Sequence, residues 1–207
     1  MPKGSAELTA ARKDEIINAC EELYKTMSFK EITIKEIGAA TSFTRTSIYN
    51  YFQTKEEIFL ALLQREYELW VSDLNELMAR EKTLTVDGFA DALGETLERR
   101  QQLLKIMSMN HYDMEENSRA ERLTEFKVSY GRALGAVEGC LKQYFPEMSE
   151  RDRGSFIYTF FPFMFGIYPY TMVTPKQKEA MKQAGVKYPE SKIAELVASC
   201  VKKLLKQ

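Results

Sequence analysis

The stretch ITIKEIGAATSFTRTSIYNYFQTKEEIF, residues 32–59, constrains this chain more than any other. Three helix starts are packed into it. Thr33-Ile34-Lys35-Glu36 and Thr54-Lys55-Glu56-Glu57 both have the form of a capping box, in which a threonine oxygen accepts from the amide three residues on and the glutamate reaches back. Ile32 with Ile37, and Phe43 with Ile48, sit at the spacing of a hydrophobic staple. One short helix therefore opens at Thr33 and stops near Ala40 or Thr41. A second starts after Thr44, and a third at Thr54. On the middle one, Ile48, Tyr51 and Phe52 fall on one side of a helical wheel. Thr46 and Asn50 fall opposite, flanked by Ser47 and Tyr49, with Arg45 in the first turn. From Thr41 to Lys55 there is basic charge and no acid.

The rest of the chain reads as helix throughout. Ile16, Cys20, Leu23, Tyr24 and Met27 recur at helical spacing and predict a first helix over about residues 9–27. The helix opening at Thr54 meets no breaker through Ile58, Leu62, Trp70, Leu74 and Leu77 to about Ala79. That is more than twice the usual helix length, as expected of an element linking two bodies. Further helices are predicted over 86–99, 101–112, 119–144, 149–170, 175–183 and 191–206. Asn117-Ser118, Phe145-Pro146, Thr174-Pro175 and Tyr188-Pro189 mark the breaks. With no strand alternation and no repeat, the chain is expected to be all-α.

Composition narrows the function classes. Hydrophobic residues at 44% and charged residues at 29% are those of a globular protein. A net charge of −1 excludes a protein basic over its whole surface, but not a local basic patch. Cys20, Cys140 and Cys200 are far apart and no pair has CxxC spacing, so neither a zinc site nor a disulfide framework is indicated. A reducing, cytoplasmic setting fits, and the first fifteen residues lack the apolar core of a signal peptide. The uncharged run from Ser155 to Val173 is nearly long enough to span a bilayer, but Pro162 and Pro169 interrupt it, and a buried core or interface helix is expected there. No GxSxG, HExxH, Walker A or GxGxxG motif occurs and His111 is the lone histidine, so no enzyme, metal or cofactor is expected.

Two short helices joined by a few residues, the second exposing small polar groups, form a helix-turn-helix pattern. An α-helix fits the major groove of DNA and its first residues meet the base edges. Arg45 has the donors for guanine and Asn50 the amide for adenine. Thr46 and Ser47 are short enough for close approach, and Tyr49 offers a ring to a thymine methyl or a hydroxyl to a phosphate. Thr33 and Lys35, Thr44, and Thr54 and Lys55 mark helix starts, whose amides and positive dipole ends suit phosphate.

From Ile32 to Leu63 the chain closely resembles the N-terminal signature of the tetracycline-repressor family of bacterial transcriptional regulators. The match rests on Ile32-Thr33, Ile37, Ala40, Thr44, Ser47-Ile48-Tyr49, Tyr51-Phe52, Lys55-Glu56-Glu57 and the preceding Phe29, and covers about the first 65 residues. The resemblance implies DNA contacts from Lys35, from Thr44 to Ser47, from Tyr49 and Tyr51, and from Lys55 on a phosphate. Ser42 stands where the family usually has a turn glycine. The resemblance also implies a head over 1–53 and an effector-binding, dimerising body over 54–207. It implies a homodimer on a near-palindromic operator, acting as a repressor released by a small apolar or aromatic effector.

Within that body Trp70, Met107, His111, Tyr112, Phe126, Tyr130, Tyr158, Phe161 and Phe165 are the candidate pocket wall, since methionine and aromatic side chains suit a bulky apolar ligand. The same residues equally suit a plain core. Gly131, Gly135 and Gly139 recur every four residues, from which a close neighbour on that face is expected. Ile193, Leu196, Val197, Cys200, Val201 and Leu204 form an apolar stripe, expected at the dimer interface although an intramolecular core would use it too. The alternative function for these features is a helical-bundle ligand-binding or adaptor protein that never meets DNA.

Overall fold

The computed structural model describes residues 3–42 and 44–206; the side chains at 3–5, 45 and 109–111 lie outside that description, as does Phe43. The described residues form ten helices and no strand: α1 Lys3–Thr26, α2 Ile34–Ala39, α3 Arg45–Ile48, α4 Lys55–Arg80, α5 Val86–Glu98, α6 Gln101–Glu116, α7 Ala120–Tyr144, α8 Glu150–Thr171, α9 Pro175–Gln183 and α10 Ile193–Leu205. They divide into two compact units. One takes Met1–Arg65 with Met109–Ser129, the other Glu66–Ser108 with Tyr130–Gln207.

In the first unit, Ile16, Cys20 and Tyr24 of α1 are buried with Ile37, Ile48 and Phe52, and with Ile58, Phe59 and Leu62 of α4. Tyr24 meets Phe59 edge-on at 5.0 Å, and Phe29 lies 4.7 Å from the same ring. α1 begins at Lys3, earlier than the apolar spacing shows, because residues 6–12 are exposed and carry no periodic signal.

The second unit is built on the later part of α4. Trp70, Leu74 and Leu77 are buried there with Phe89, Leu93 and Leu97 of α5, Val137 and Leu141 of α7, and Phe160 and Phe161 of α8. The Trp70 indole donates to the Thr96 hydroxyl at 3.0 Å, and that hydroxyl donates to the Leu93 carbonyl at 2.7 Å. The Tyr144 hydroxyl closes α7 on the end of α4 through the Leu77 and Glu81 carbonyls, each at 3.2 Å.

Two sequence expectations change here. The close approach lies at Gly94 and not on the Gly131 face: a Cβ on Gly94 would stand 2.6 Å from the Ala194 carbonyl oxygen, so α5 and α10 cross there backbone to backbone. Around Gly131 and Gly135 nothing comes within 4 Å, and Gly139 sees only the Met78 side chain at ordinary contact distance. The stripe on α10 also divides. Ile193, Val197 and Val201 are buried within the unit, where α10 packs on α5, while Leu196, Cys200 and Leu204 stay half-exposed along its edge. The helix expected over 149–170 is present, and α8 runs unbroken through Pro162 and Pro169. Both prolines face outward, where water can take the carbonyls they leave unpaired. Among the described residues no single helix is long and apolar enough to cross a membrane.

Candidate nucleic-acid interface

The local order from α2 to α4 follows from threonine caps. Thr33 accepts from the Lys35 amide at 3.2 Å and, more weakly, from the Glu36 amide at 3.5 Å. The Glu36 carboxylate takes the Thr33 hydroxyl, so the capping box reaches the side chain and not the backbone amide. Thr44 is in extended conformation and caps α3 through the Ser47 amide at 3.3 Å; the two hydroxyls lie 3.0 Å apart. Thr54 accepts from the Glu57 amide at 3.1 Å. Here the Glu57 carboxylate passes over the cap and takes the Gln53 amide at 2.8 Å.

As α-helix, α3 is only four residues long, shorter than the sequence pattern implies. The Tyr51 and Phe52 amides both bond the Ile48 carbonyl, at 2.9 and 3.0 Å, and the Asn50 amide bonds the Ser47 carbonyl at 3.3 Å. Three-residue bonds tighten this last turn. The inside-outside pattern survives the shortening: Ile48 and Phe52 are buried, while Thr46 and Asn50 are exposed and Tyr49 is 43% exposed.

The remaining candidates are placed as follows. Lys35 and Thr44 are exposed, and Thr33 is an exposed cap. Ser47 is half-buried on Thr44. Tyr51 is half-buried, and its hydroxyl accepts from the Arg12 guanidinium at 3.1 Å. The Lys55 ammonium donates to the Phe29 carbonyl at 2.7 Å and stands 4.2 Å above the Phe29 ring. The Arg45 side chain lies outside the described residues.

Two features were not visible in the sequence. Glu15 of α1 accepts from the Ser42 amide at 2.7 Å, and this bond with that from the Ser42 hydroxyl holds its carboxyl below the usual range. No described non-glycine residue has positive φ, so the α2–α3 turn accepts Ser42 without left-handed strain. Gly38 is buried and its carbonyl takes the Thr41 hydroxyl at 3.1 Å. The second feature is the Glu57 carboxylate. It is 1% exposed and is gripped by the Arg119 guanidinium through Nε at 2.6 Å and Nη2 at 2.8 Å. Sixty-two positions separate the two residues, and no local motif links them.

Four of the candidate ligand residues gather in the second unit. Trp70, Met107 and Phe161 are buried in the second unit, with Tyr130 half-buried beside them; the Phe161 ring lies 5.9 Å from Trp70 and 5.7 Å from Tyr130. Tyr67, absent from the sequence-based set, joins them: its ring is 5.7 Å from Tyr130 and its hydroxyl 3.5 Å from the Met107 sulfur. Phe165 is half-buried. Tyr158, at 78% exposed, is on the surface of α8. Tyr112, at 88% exposed, and buried Phe126 belong to the first unit, and the His111 side chain is outside the described residues. A separate open groove of about 680 Å³ runs between the end of α8, α9 and the start of α10. Tyr170, Met181, Val186, Tyr188 and Leu196 line it, and its Tyr188 hydroxyl is shielded and unpaired. Among the described residues no three His, Cys, Asp or Glu side chains cluster as metal ligands.

With this geometry, the family comparison is decisive. Residues 16–62 match the model of bacterial regulatory proteins of the tetR family, and residues 64–205 match the tetracyclin repressor-like C-terminal domain. The chain belongs to the tetR family. The two tetR-family matches meet at residues 62–64, about two turns inside α4. The uncharacterised HTH-type transcriptional regulator YfiR of Bacillus subtilis is 25% identical over 97 residues, 46% of this chain and 47% of YfiR; the chain thus matches about half the length of that relative. A TetR/AcrR-family transcriptional regulator from Thermobifida fusca shares the fold with a TM-score of 0.60 at 17% identity, covering 94% of this chain and 97% of the other. Thermus thermophilus FadR, a TetR-family transcriptional repressor solved in complex with lauroyl-CoA, gives a TM-score of 0.58 at 18% identity over 93% of each chain.

Proposed function

We propose that this tetR-family chain is a DNA-binding transcription regulator that works in the cytoplasm as a homodimeric repressor and releases its operator when a small apolar or aromatic effector binds. The observation that carries the reading is the two-sided α3 turn. Ile48 and Phe52 anchor it in the first unit while Thr46, Tyr49 and Asn50 face outward. A turn needed only for packing has no use for an outward row of short polar and amide side chains, and a turn that enters a major groove does. Thr46 and Asn50 read base edges together with Arg45; Thr33, Lys35, Thr44 and Lys55 hold phosphates. A two-fold pair of heads sets two such turns about 34–36 Å apart, so the operator is a near-palindrome.

The effector reading is supported by the Trp70, Tyr130 and Phe161 cluster and by the fold shared with a repressor solved with lauroyl-CoA. Effector and operator weaken each other's binding by the same factor. The test is selection of bound fragments from the native genome by the purified chain, with sequencing and a salt titration. Recovery of a shared near-palindrome with steep salt dependence is expected. Retention of no fragment over a random pool would overturn the proposal in favour of a helical ligand-binding or adaptor protein.

A further inference from the structure

The turn that presents Thr46 and Asn50 ends on Tyr51, and α4 begins at Lys55. The short link between them is held from outside the helix-turn-helix segment. Arg119, directly before α7, gives Glu57 three hydrogen bonds: Nε to Oε1 at 2.6 Å, Nη2 to Oε2 at 2.8 Å, and its backbone amide to Oε1 at 3.1 Å. The same Nη2 faces the Tyr51 carbonyl at 3.4 Å. Arg122, one turn further on, reaches that carbonyl at 3.3 Å and lies 5.7 Å from the centre of the Phe52 ring. The Thr54 hydroxyl donates to the Asn117 carbonyl at 3.0 Å. All of these residues belong to the first unit.

A carboxylate that is 1% exposed would normally be costly, and here every bond it accepts comes from the joint itself: the Gln53 amide on one side and Arg119 on the other. Only a guanidinium has donors arranged to take both carboxylate oxygens and a carbonyl at once; an ammonium has the charge without the fork. A carbonyl facing two guanidiniums at the end of a helical turn is also the polarity that the turn dipole favours.

We propose that Arg119 is a positioning residue for DNA recognition: through Glu57 and the Tyr51 carbonyl it sets the angle at which α3 presents its reading side chains. The inference rests on the DNA-binding reading above. It differs from a plain structural role in what it predicts. A brace that only stabilises the head changes its melting temperature and leaves the affinity of the folded chain alone. A brace that sets the angle of α3 changes sequence-specific affinity in fully folded protein, because a tilted turn loses a base contact while phosphate contacts persist.

The experiment measures binding of wild type, Arg119→Lys, Arg119→Gln, Glu57→Gln and the double variant by fluorescence anisotropy. The probes are the fragment that wild type selects best and a scrambled duplex of equal length, at several salt concentrations and well below each melting point. Arg119→Lys keeps a cation beside Glu57, so it serves if Arg119→Gln fails to fold. Expected is a loss of about 5- to 150-fold on the selected fragment for both Arg119 variants, the worth of one good base contact. Binding to scrambled DNA and the salt slope should stay as in wild type. The double variant should be no weaker than Arg119→Gln alone, since both changes break one joint. If folded Arg119→Lys binds the selected fragment as well as wild type, or loses equally on both probes, the positioning role is overturned and the DNA-binding reading stands. If wild type itself selects nothing, both fall.

Discussion

Lys55→Met separates the tie to Phe29 from the phosphate contact proposed for the same ammonium. In the structure Lys55 Nζ is 2.7 Å from the Phe29 carbonyl and 4.2 Å above the Phe29 ring, so part of its work is to tie the start of α4 to the link after α1. An ammonium has three N–H donors and one carbonyl uses one of them. If a second donor holds a phosphate, removing the charge removes one released counterion. The slope of log affinity against log salt then flattens by about 0.9. From 50 to 200 mM salt that slope difference makes the defect of the variant shrink by about 3.5-fold. The tie to Phe29 is a charge-assisted bond at a half-exposed position, so its loss costs the fold about 1 kcal/mol. For a chain of this size that lowers the melting temperature by about 2–4 °C. Methionine keeps the apolar stem on the Phe29 ring, which confines the change to the charge. Anisotropy titrations of the selected operator at five or more salt concentrations, with thermal unfolding by circular dichroism on the same samples, read both quantities. A parallel salt line with a lowered melting temperature would refute the phosphate contact and leave Lys55 a structural tie alone.

The other predictions use different parts of the molecule. Gly94→Ala drives a Cβ to 2.6 Å from the Ala194 carbonyl oxygen and should cost about 1–3 kcal/mol in urea unfolding; unchanged stability would mean that α5 and α10 cross more loosely. Gly135→Ala meets nothing within 4 Å and should stabilise α7 by about 0.5–1 kcal/mol. A concentration-dependent loss instead would show that a second chain covers that face. Burial pushes the Glu57 carboxyl up, but the bonds from Arg119 and the Gln53 amide outweigh it and hold it below the ordinary value. A lowered folded value gives stability that is present above the unfolded one, about 4.3, and lost as pH falls from there through the folded value. The stability gap between wild type and Glu57→Gln should therefore be full at neutral pH and close in acid, and a gap that persists at the lowest pH would contradict the ion pair. Burial pushes the Cys140 thiol up to about 12 and Cys20 further, while Cys200 is raised but half-exposed. A charged thiol reagent should thus label Cys200 first in native protein, and fast labelling that survives Cys200→Ser would refute this ordering.

Where the sequence and the structure agree, the cause is local. Thr33, Thr44 and Thr174 cap the helices they announce, because a capping bond spans three residues and both partners are visible in one short window. Thr174-Pro175 places α9 to the residue for the same reason, with Gln177 completing the box. Ile48 and Phe52 face inward as the wheel requires, since helical periodicity also needs no distant partner. The length of α3 was less legible: the tightening after Ile48 depends on which carbonyl each amide chooses, and side-chain pattern does not encode that. α6 runs four residues past Tyr112, through an acidic segment whose polarity reads as a helix end but whose backbone continues.

Where they part, a distant contact decides. The spacing of Gly131, Gly135 and Gly139 looks like a packing groove, yet the glycine that permits close approach is Gly94, because only the fold sets Ala194 against it. Glu57 shows the same limit inside the site. In sequence it is the third residue of a helix start, one of several such glutamates. In the structure the neighbouring cap bond is made by Thr54, which leaves the Glu57 carboxylate to Gln53 and Arg119, and a residue of helix chemistry becomes the anchor of the joint behind α3. Ser42 follows the same logic in reverse. Its departure from glycine looks like a defect until Glu15, twenty-seven positions upstream, takes its amide in a backbone free of left-handed strain. The helix-turn-helix pattern is thus recognisable in a window of thirty residues, while Glu15 and Arg119, which hold Ser42 and Glu57 within it, lie outside that window and are brought to it by the fold. Substitution at Arg119 should therefore weaken binding to the selected fragment in folded protein while binding to a scrambled duplex stays as in wild type.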